Sequence, residues 1–199
     1  MSEDDAHVRL REDPVMARLI EKHDPYTEPE CEEEFERLVV SVINQSISTA
    51  AAKAVQKRVY ELFDGPITPE AVLAADDEAL ANAGLGKQKT NYLNNAAEAF
   101  LENDFSREGL AEYTDEEVIA ALSEIHGIGE WTARMYLLFV LEREDVLPLG
   151  DLAVRRGIER LYNDGEELSR AEMREVAESW RPYRSVATKY IWAEYESPE

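Results

Sequence analysis

The chain is predicted to be all-α, and three observations predict it. Apolar residues recur at intervals of three and four, as in Phe35, Leu38, Val39, Val42 and Ile43, the signature of a helix with one buried face. Residue types that cap helices stand directly before such stripes: Asp13 with Pro14, Ser48, Thr68 with Pro69, Asp76, Thr114 and Ser169. Alternation at period two never persists, and Asp64-Gly65-Pro66 lies between helical patterns, so no hairpin of strands is expected.

Taken in order, Asp13 caps a short first helix whose proline occupies the first turn and whose stripe is Val15, Leu19 and Ile20; a turn follows at Asp24-Pro25. A helix from Glu32 to Asn44 ends in the polar run Asn44-Gln45-Ser46. Ser48 caps a second long helix, with Ala51, Ala52, Val55, Val59, Leu62 and Phe63 as its inner side. Thr68-Pro69 and Asp76 start two further helices. Gly84-Leu85-Gly86 halts the pattern before a helix over about 87–103, in which Tyr92, Leu93, Ala96, Ala97 and Phe100 face inward. Thr114 and Glu117 have capping-box spacing, so a helix runs from Asp115 into Leu122. Another starts at Trp131 and runs to about Leu141. Ser169 and Glu172 repeat the box, and the last helix follows Trp180-Arg181-Pro182, because proline starts helices more readily than it continues them.

The 199 residues suffice to bury a core. No apolar run approaches the roughly 20 residues of a membrane span, and the start, Met1 to Asp5, is too acidic for a signal peptide, so a cytoplasmic location is expected. The lone Cys31 excludes an internal disulfide and a four-cysteine metal or iron–sulfur site. Acidic residues number 43 against 21 basic ones, and the net charge is -22. The acids fall on well-patterned helices, which fits a folded surface adapted to high salt and hence a halophilic host. A DNA mimic, or a partner of basic proteins, is the rival reading of that charge.

Two stretches carry chemistry. Gly127 and Gly129 bracket Ile128 just before the helical pattern at Trp131, so bare amides and the positive end of a helix dipole face outward. That arrangement suits an anion such as a backbone phosphate, although a plain tight turn has the same signature. Asp151 follows Pro148 and Gly150 and precedes a helical pattern; by local pattern alone it is an N-cap.

In combination and in this order, the segments Ile125–Ala133, Leu147–Gly157 and Trp180–Trp192 resemble the helix-hairpin-helix (HhH-GPD) DNA glycosylase superfamily, most of all its alkylbase group, the 3-methyladenine DNA glycosylase II type. The resemblance extends from about Asp13 to Tyr195; joined with the acidic charge, it makes a halophilic archaeon the expected source. It implies a single compact domain of two helical lobes with the active-site cleft between them, one lobe near 31–122 and the other formed by 1–30 with 123–199. Some alkylbase glycosylases carry an extra N-terminal β domain, for which this chain is too short at its N-terminus, so none is expected.

The same resemblance implies a monofunctional glycosylase that hydrolyses the N-glycosidic bond of N-alkylated purines during base-excision repair, acting as a monomer on double-stranded DNA with damaged bases. Asp151 would be the catalytic carboxylate, stabilising positive charge on the sugar and orienting water. A base already cationic through alkylation leaves without protonation, in keeping with the lack of an obvious second acid. Trp131 stands where strand-nicking relatives carry a Schiff-base lysine, so no backbone cutting is expected. Trp131, Met135 and Trp192 would line the base pocket, the indoles stacking on an electron-poor base; packing in the core is the plainer role for both tryptophans. Gln45 or Ser46, in the loop Asn44-Gln45-Ser46-Ile47, would enter the base stack once the target base is flipped, while a polar helix end would look the same. The amides of Gly127, Gly129 and Thr132, with Ile128 between, would hold a DNA phosphate. The backbone carbonyls of Ser123, Ile125 and Ile128 would hold a structural K+ or Na+, with no cofactor required. Lys87 and Lys89 would add local positive charge, or be solvated lysines. A non-catalytic helix-hairpin-helix DNA-binding module and an acidic protein-interaction domain are the other readings.

Overall fold

The computed structural model describes residues 3–27, 31 and 34–197, and every regular element among them is helical. They are α1 (Glu3–Leu10), α2 (Pro14–Lys22), α3 (Glu34–Asn44), α4 (Thr49–Tyr60), α5 (Pro69–Ala74), α6 (Asp77–Leu80), α7 (Gly86–Glu102), α8 (Asp115–Ser123), α9 (Glu130–Phe139), α10 (Leu152–Tyr162), α11 (Arg170–Val176) and α12 (Arg184–Glu196). No described helix is long and apolar enough to cross a membrane. The chain forms two compact units, residues 30–141 and residues 1–29 with 142–199.

In the first unit α3 is the central element. Every residue from Phe35 to Ile43 is buried, so the predicted one-sided stripe is in fact enclosed all round. It packs on α4, α7 and α9, while α5 lies on α7 and α8 on α9. Glu32 and Glu33, the predicted start of this helix, lie outside the described residues, and α3 runs from Glu34. Two inward assignments on α4 are corrected: Ala51 and Leu62 are exposed, because the helix stops at Tyr60 and its buried stripe is Ala52, Val55 and Val59. The predicted stop at Gly84 is a single wide turn, Ala81–Leu85, through which the chain passes from α6 into α7.

In the second unit α10 packs against α12, α12 against α2, and α11 against α10. The predicted caps form. Asp13 accepts from the amides of Val15 and Met16, and both boxes, Thr114 with Glu117 and Ser169 with Glu172, close reciprocally. The other oxygen of Asp13 takes the Tyr162 hydroxyl at 2.9 Å and the Trp180 indole N–H at 3.2 Å. One aspartate thus caps α2 and ties it to the far end of the chain.

Two expectations change. Helix α1 precedes the helix expected to be first. It has only Ala6 and Leu10 as buried apolar residues, too short a stripe to register as a period, and it is held by packing on α2 and by the His7 ring against Tyr190. The division of the chain also falls at 141/142 and not at 122/123. Helix α9 packs on α3 and α8, so the hairpin belongs with the unit it was expected to leave.

Candidate functional site

Asp151 is the N-cap of α10, its Oδ1 accepting the Val154 amide at 3.0 Å. The turn before it is built for that position. The Asp151 amide donates to the Pro148 carbonyl at 2.9 Å, Leu147 and Leu149 are buried, and Arg155 Nη1 donates to the carbonyls of Leu149 and Gly150 at 2.9 and 3.0 Å. Upstream, Arg184 Nε reaches Asp145 Oδ1 at 2.6 Å and the Ser185 hydroxyl accepts the Val146 amide at 3.0 Å, so the start of α12 holds the incoming loop. Aspartate at such a cap keeps its carboxylate at a helix N-terminus, where it accepts an otherwise unpaired first-turn amide.

Trp192 comes to the same carboxylate. Its Nε1 donates to Asp151 Oδ1 at 3.3 Å, and the Tyr26 ring meets it edge-on with centroids 5.7 Å apart. Trp192 is only 7% exposed. Gly157 permits this approach of α12 to α10, since a Cβ there would lie 2.3 Å from Ile191 Cγ2.

The hairpin lies in the 30–141 unit. Gly127 has φ +100, and a Cβ on it would lie 2.1 Å from the Tyr92 ring, so glycine is demanded twice. The turn closes through the Ile128 amide on the Ile125 carbonyl at 2.9 Å, and Asn95 on α7 holds the His126 carbonyl. Gly129 is different: its backbone is extended, and a Cβ on it would meet nothing within 4 Å. What its missing side chain leaves is open approach to the first turn of α9, which no side chain caps.

Gln45 turns back onto this hairpin. Its Nε2 donates to the Gly127 carbonyl at 3.1 Å and to Thr132 Oγ1 at 2.9 Å. Thr132 is buried. Lys89 also turns inward, its Nζ donating to the carbonyls of Ile43 and Gln45 at 2.7 Å each, and burial pulls its ammonium below the ordinary lysine value. The expectation of a surface charge at Lys89 is therefore corrected, because the carbonyls of Ile43 and Gln45 accept its hydrogen bonds; Lys87 is exposed. Ser46 sits at φ 56 and is exposed, followed by Ile47 at 38% exposure. Of the two proposed wedge residues, Ser46 is the one presented outward. Trp131 and Met135, four apart on α9, share one helix face, the first half-buried and the second buried.

Among the predicted site residues, then, Asp151 and Trp192 meet, and Gln45 meets Gly127 and Thr132. Tyr26 and the bracing role of Arg155 were missed. Arg155 carries a trace in sequence, four residues after Asp151 on one helix, whereas nothing local marks Tyr26.

The model of the HhH-GPD superfamily of base excision DNA repair proteins matches residues 39–182. DNA-3-methyladenine glycosylase 1 of Schizosaccharomyces pombe is 29% identical over 191 residues, covering 92% of this chain and 84% of that protein. The DNA-3-methyladenine glycosylase of Saccharomyces cerevisiae is 34% identical over 196 residues, covering 81% of this chain and 66% of that protein. Among solved structures, the S. pombe 3-methyladenine DNA glycosylase in complex with abasic DNA superposes with a TM-score of 0.86 at 28% identity, covering 94% of this chain and 95% of that one. The DNA-3-methyladenine glycosidase of Bacillus halodurans gives 0.78 at 32% identity, covering 99% and 92%. With the matched segment spanning both the glycine hairpin and the capped aspartate, this chain belongs to the HhH-GPD superfamily of base excision DNA repair proteins.

Proposed function

We propose that this protein is a monofunctional DNA glycosylase that releases N-alkylated purines, 3-methyladenine-like bases above all, from double-stranded DNA. The observation that carries the reading is the carboxylate of Asp151, held at a helix N-terminus by the Val154 amide and the Trp192 indole in a chain similar to enzymes named for 3-methyladenine. In the reaction the bond from the sugar C1′ to the base nitrogen breaks. An alkylated purine, already cationic, takes the bonding pair and leaves neutral. Asp151 stabilises the positive charge that builds on the sugar and accepts a proton from the water whose oxygen bonds to C1′. Trp131 offers no amine to form an imine, so the product is an abasic site in an uncut strand.

The hairpin is the clamp in this proposal: the first-turn amides at Gly129 and beyond take a phosphate, and Ser46 with Ile47 faces the gap left by the flipped base. In this proposal the carbonyls of Ser123, Ile125 and Ile128 would hold a monovalent cation. Ser123 is the last residue of α8, where helix carbonyls outrun their helical donors and the dipole favours positive charge. A bound K+ or Na+ would supply a fixed charge for the phosphate.

The test is base release from a duplex containing one alkylated adenine. Asp151→Asn keeps a good N-cap and is expected to leave the fold and DNA binding intact, while single-turnover release falls by about 100- to 10,000-fold. Strand breaks are expected only after alkali. Undiminished release by the variant would overturn the assignment, and no release by the wild type would favour a DNA-binding module without catalysis.

A further inference from the structure

We infer that Trp192 is a positioning residue that orients the Asp151 carboxylate through its indole N–H, with Tyr26 setting the indole from behind, and that it is not a wall on which the target base stacks. The inference rests on Asp151 being the catalytic carboxylate.

Trp192 has the wrong exposure for a stacking platform. A base laid on an indole needs an open ring face, and only 7% of this residue is accessible. What the side chain does present is its one polar atom, a donor with no acceptor capacity, aimed at Asp151 Oδ1 at 3.3 Å. The same oxygen takes the Val154 amide at 3.0 Å. Two donors from different helices converging on one oxygen fix the carboxyl torsion, because rotation about the Cβ–Cγ bond would break both.

The indole is itself fixed. The segment after α2 lies along α12 and touches it at three places: the Tyr26 amide donates to the Lys189 carbonyl at 3.2 Å, the Tyr26 ring meets Trp192 edge-on, and His23 contacts Glu194. Lys189 and Trp192 are one turn apart and share a face of α12. Glycine at 157 allows α12 close enough to α10 for the bond to form. The contacts run from the chain's N-terminal segment through Trp192 to the carboxylate, all inside one unit.

Trp192→Phe tests this, since it keeps an aromatic ring and removes the donor. Single-turnover release is measured for an N-alkylated, cationic purine and for a neutral deaminated purine in otherwise identical duplexes. Positioning predicts a loss of about 10- to 100-fold, the value of a hydrogen bond to a charged group, equal for both bases, with DNA affinity unchanged and with no further loss when Trp192→Phe is added to Asp151→Asn. Stacking predicts near wild-type rates for Trp192→Phe, or a loss confined to the cationic base, or a loss that persists in the Asp151→Asn background; any of these overturns the inference. If Trp192→Phe does not fold, Tyr26→Leu carries the test, with the same base-independent loss expected and wild-type release contradicting it. Full release by Asp151→Asn would sink the reading of the site on which the inference rests, whereas loss of release by Asp151→Asn with wild-type release by Trp192→Phe would sink the role given to Trp192 alone.

Discussion

Gln45 shows how far one side chain can be committed before DNA arrives. Its amide group spans from the α3 terminus to Gly127 and Thr132, and its own carbonyl is held by Lys89. It therefore acts as a strut setting the loop against the hairpin, which leaves Ser46 and Ile47 as the outward tip. Gln45→Ala and Lys89→Met are each expected to cost about 1–2 kcal/mol of stability, the loss of two hydrogen bonds, and to weaken DNA binding. Ser46→Gly relieves a left-handed serine and is expected to raise stability by up to about 1 kcal/mol. Thermal melts beside DNA titrations would check this; a Gln45→Ala protein as stable as wild type would contradict the strut.

At the scale of elements, the contact of α10 with α12 decides the geometry of Asp151. In an ordinary exposed helix, glycine to alanine gains up to about 1 kcal/mol. At Gly157 the sign should reverse. The new methyl would meet Ile191 Cγ2 at 2.3 Å, so Gly157→Ala is expected to cost about 1–3 kcal/mol as overpacking. It should slow base release more than that destabilisation accounts for, because α12 carries Trp192 away from the carboxylate. Melting curves and single-turnover rates would read both effects, and a stabilised variant would show that the helices have room to spare.

For the whole molecule the net charge of -22 is the dominant long-range term. Screening over a Debye length of about 10 Å at 0.1 M and about 3 Å at 1 M weakens this self-repulsion, and the repulsion of DNA with it. The melting temperature is therefore expected to rise from 0.1 M to molar salt, in KCl and in tetramethylammonium chloride alike. A cation held by the carbonyls of Ser123, Ile125 and Ile128 adds a distinct effect: at matched ionic strength DNA should bind more tightly in KCl, since the bulky cation cannot enter a carbonyl ring. Equal affinities in the two salts would remove the cation from the hairpin, and a melting temperature that falls with salt would contradict the account of the charge.

By itself the sequence determined what depends on residues within about a turn of each other. Asp13, Ser48, Thr68, Thr114, Asp151 and Ser169 all cap the helices they precede, and Gly127 makes the tight turn expected of it, with positive φ. Caps and apolar periods act over three or four residues, so they are written where they operate. The tertiary structure alone decided which side chains meet. Trp192 finds Asp151 across 41 residues and Gln45 finds Gly127 across 82, while Lys89, on the same face of α7 as Leu93 and Ala96, reaches carbonyls 44 and 46 residues away. Those partners depend on which helix faces pack, a property of the assembled core that no window of the chain contains. Hence the aspartate and the hairpin were legible as residues, but the donor that aims one and the strut that braces the other were not.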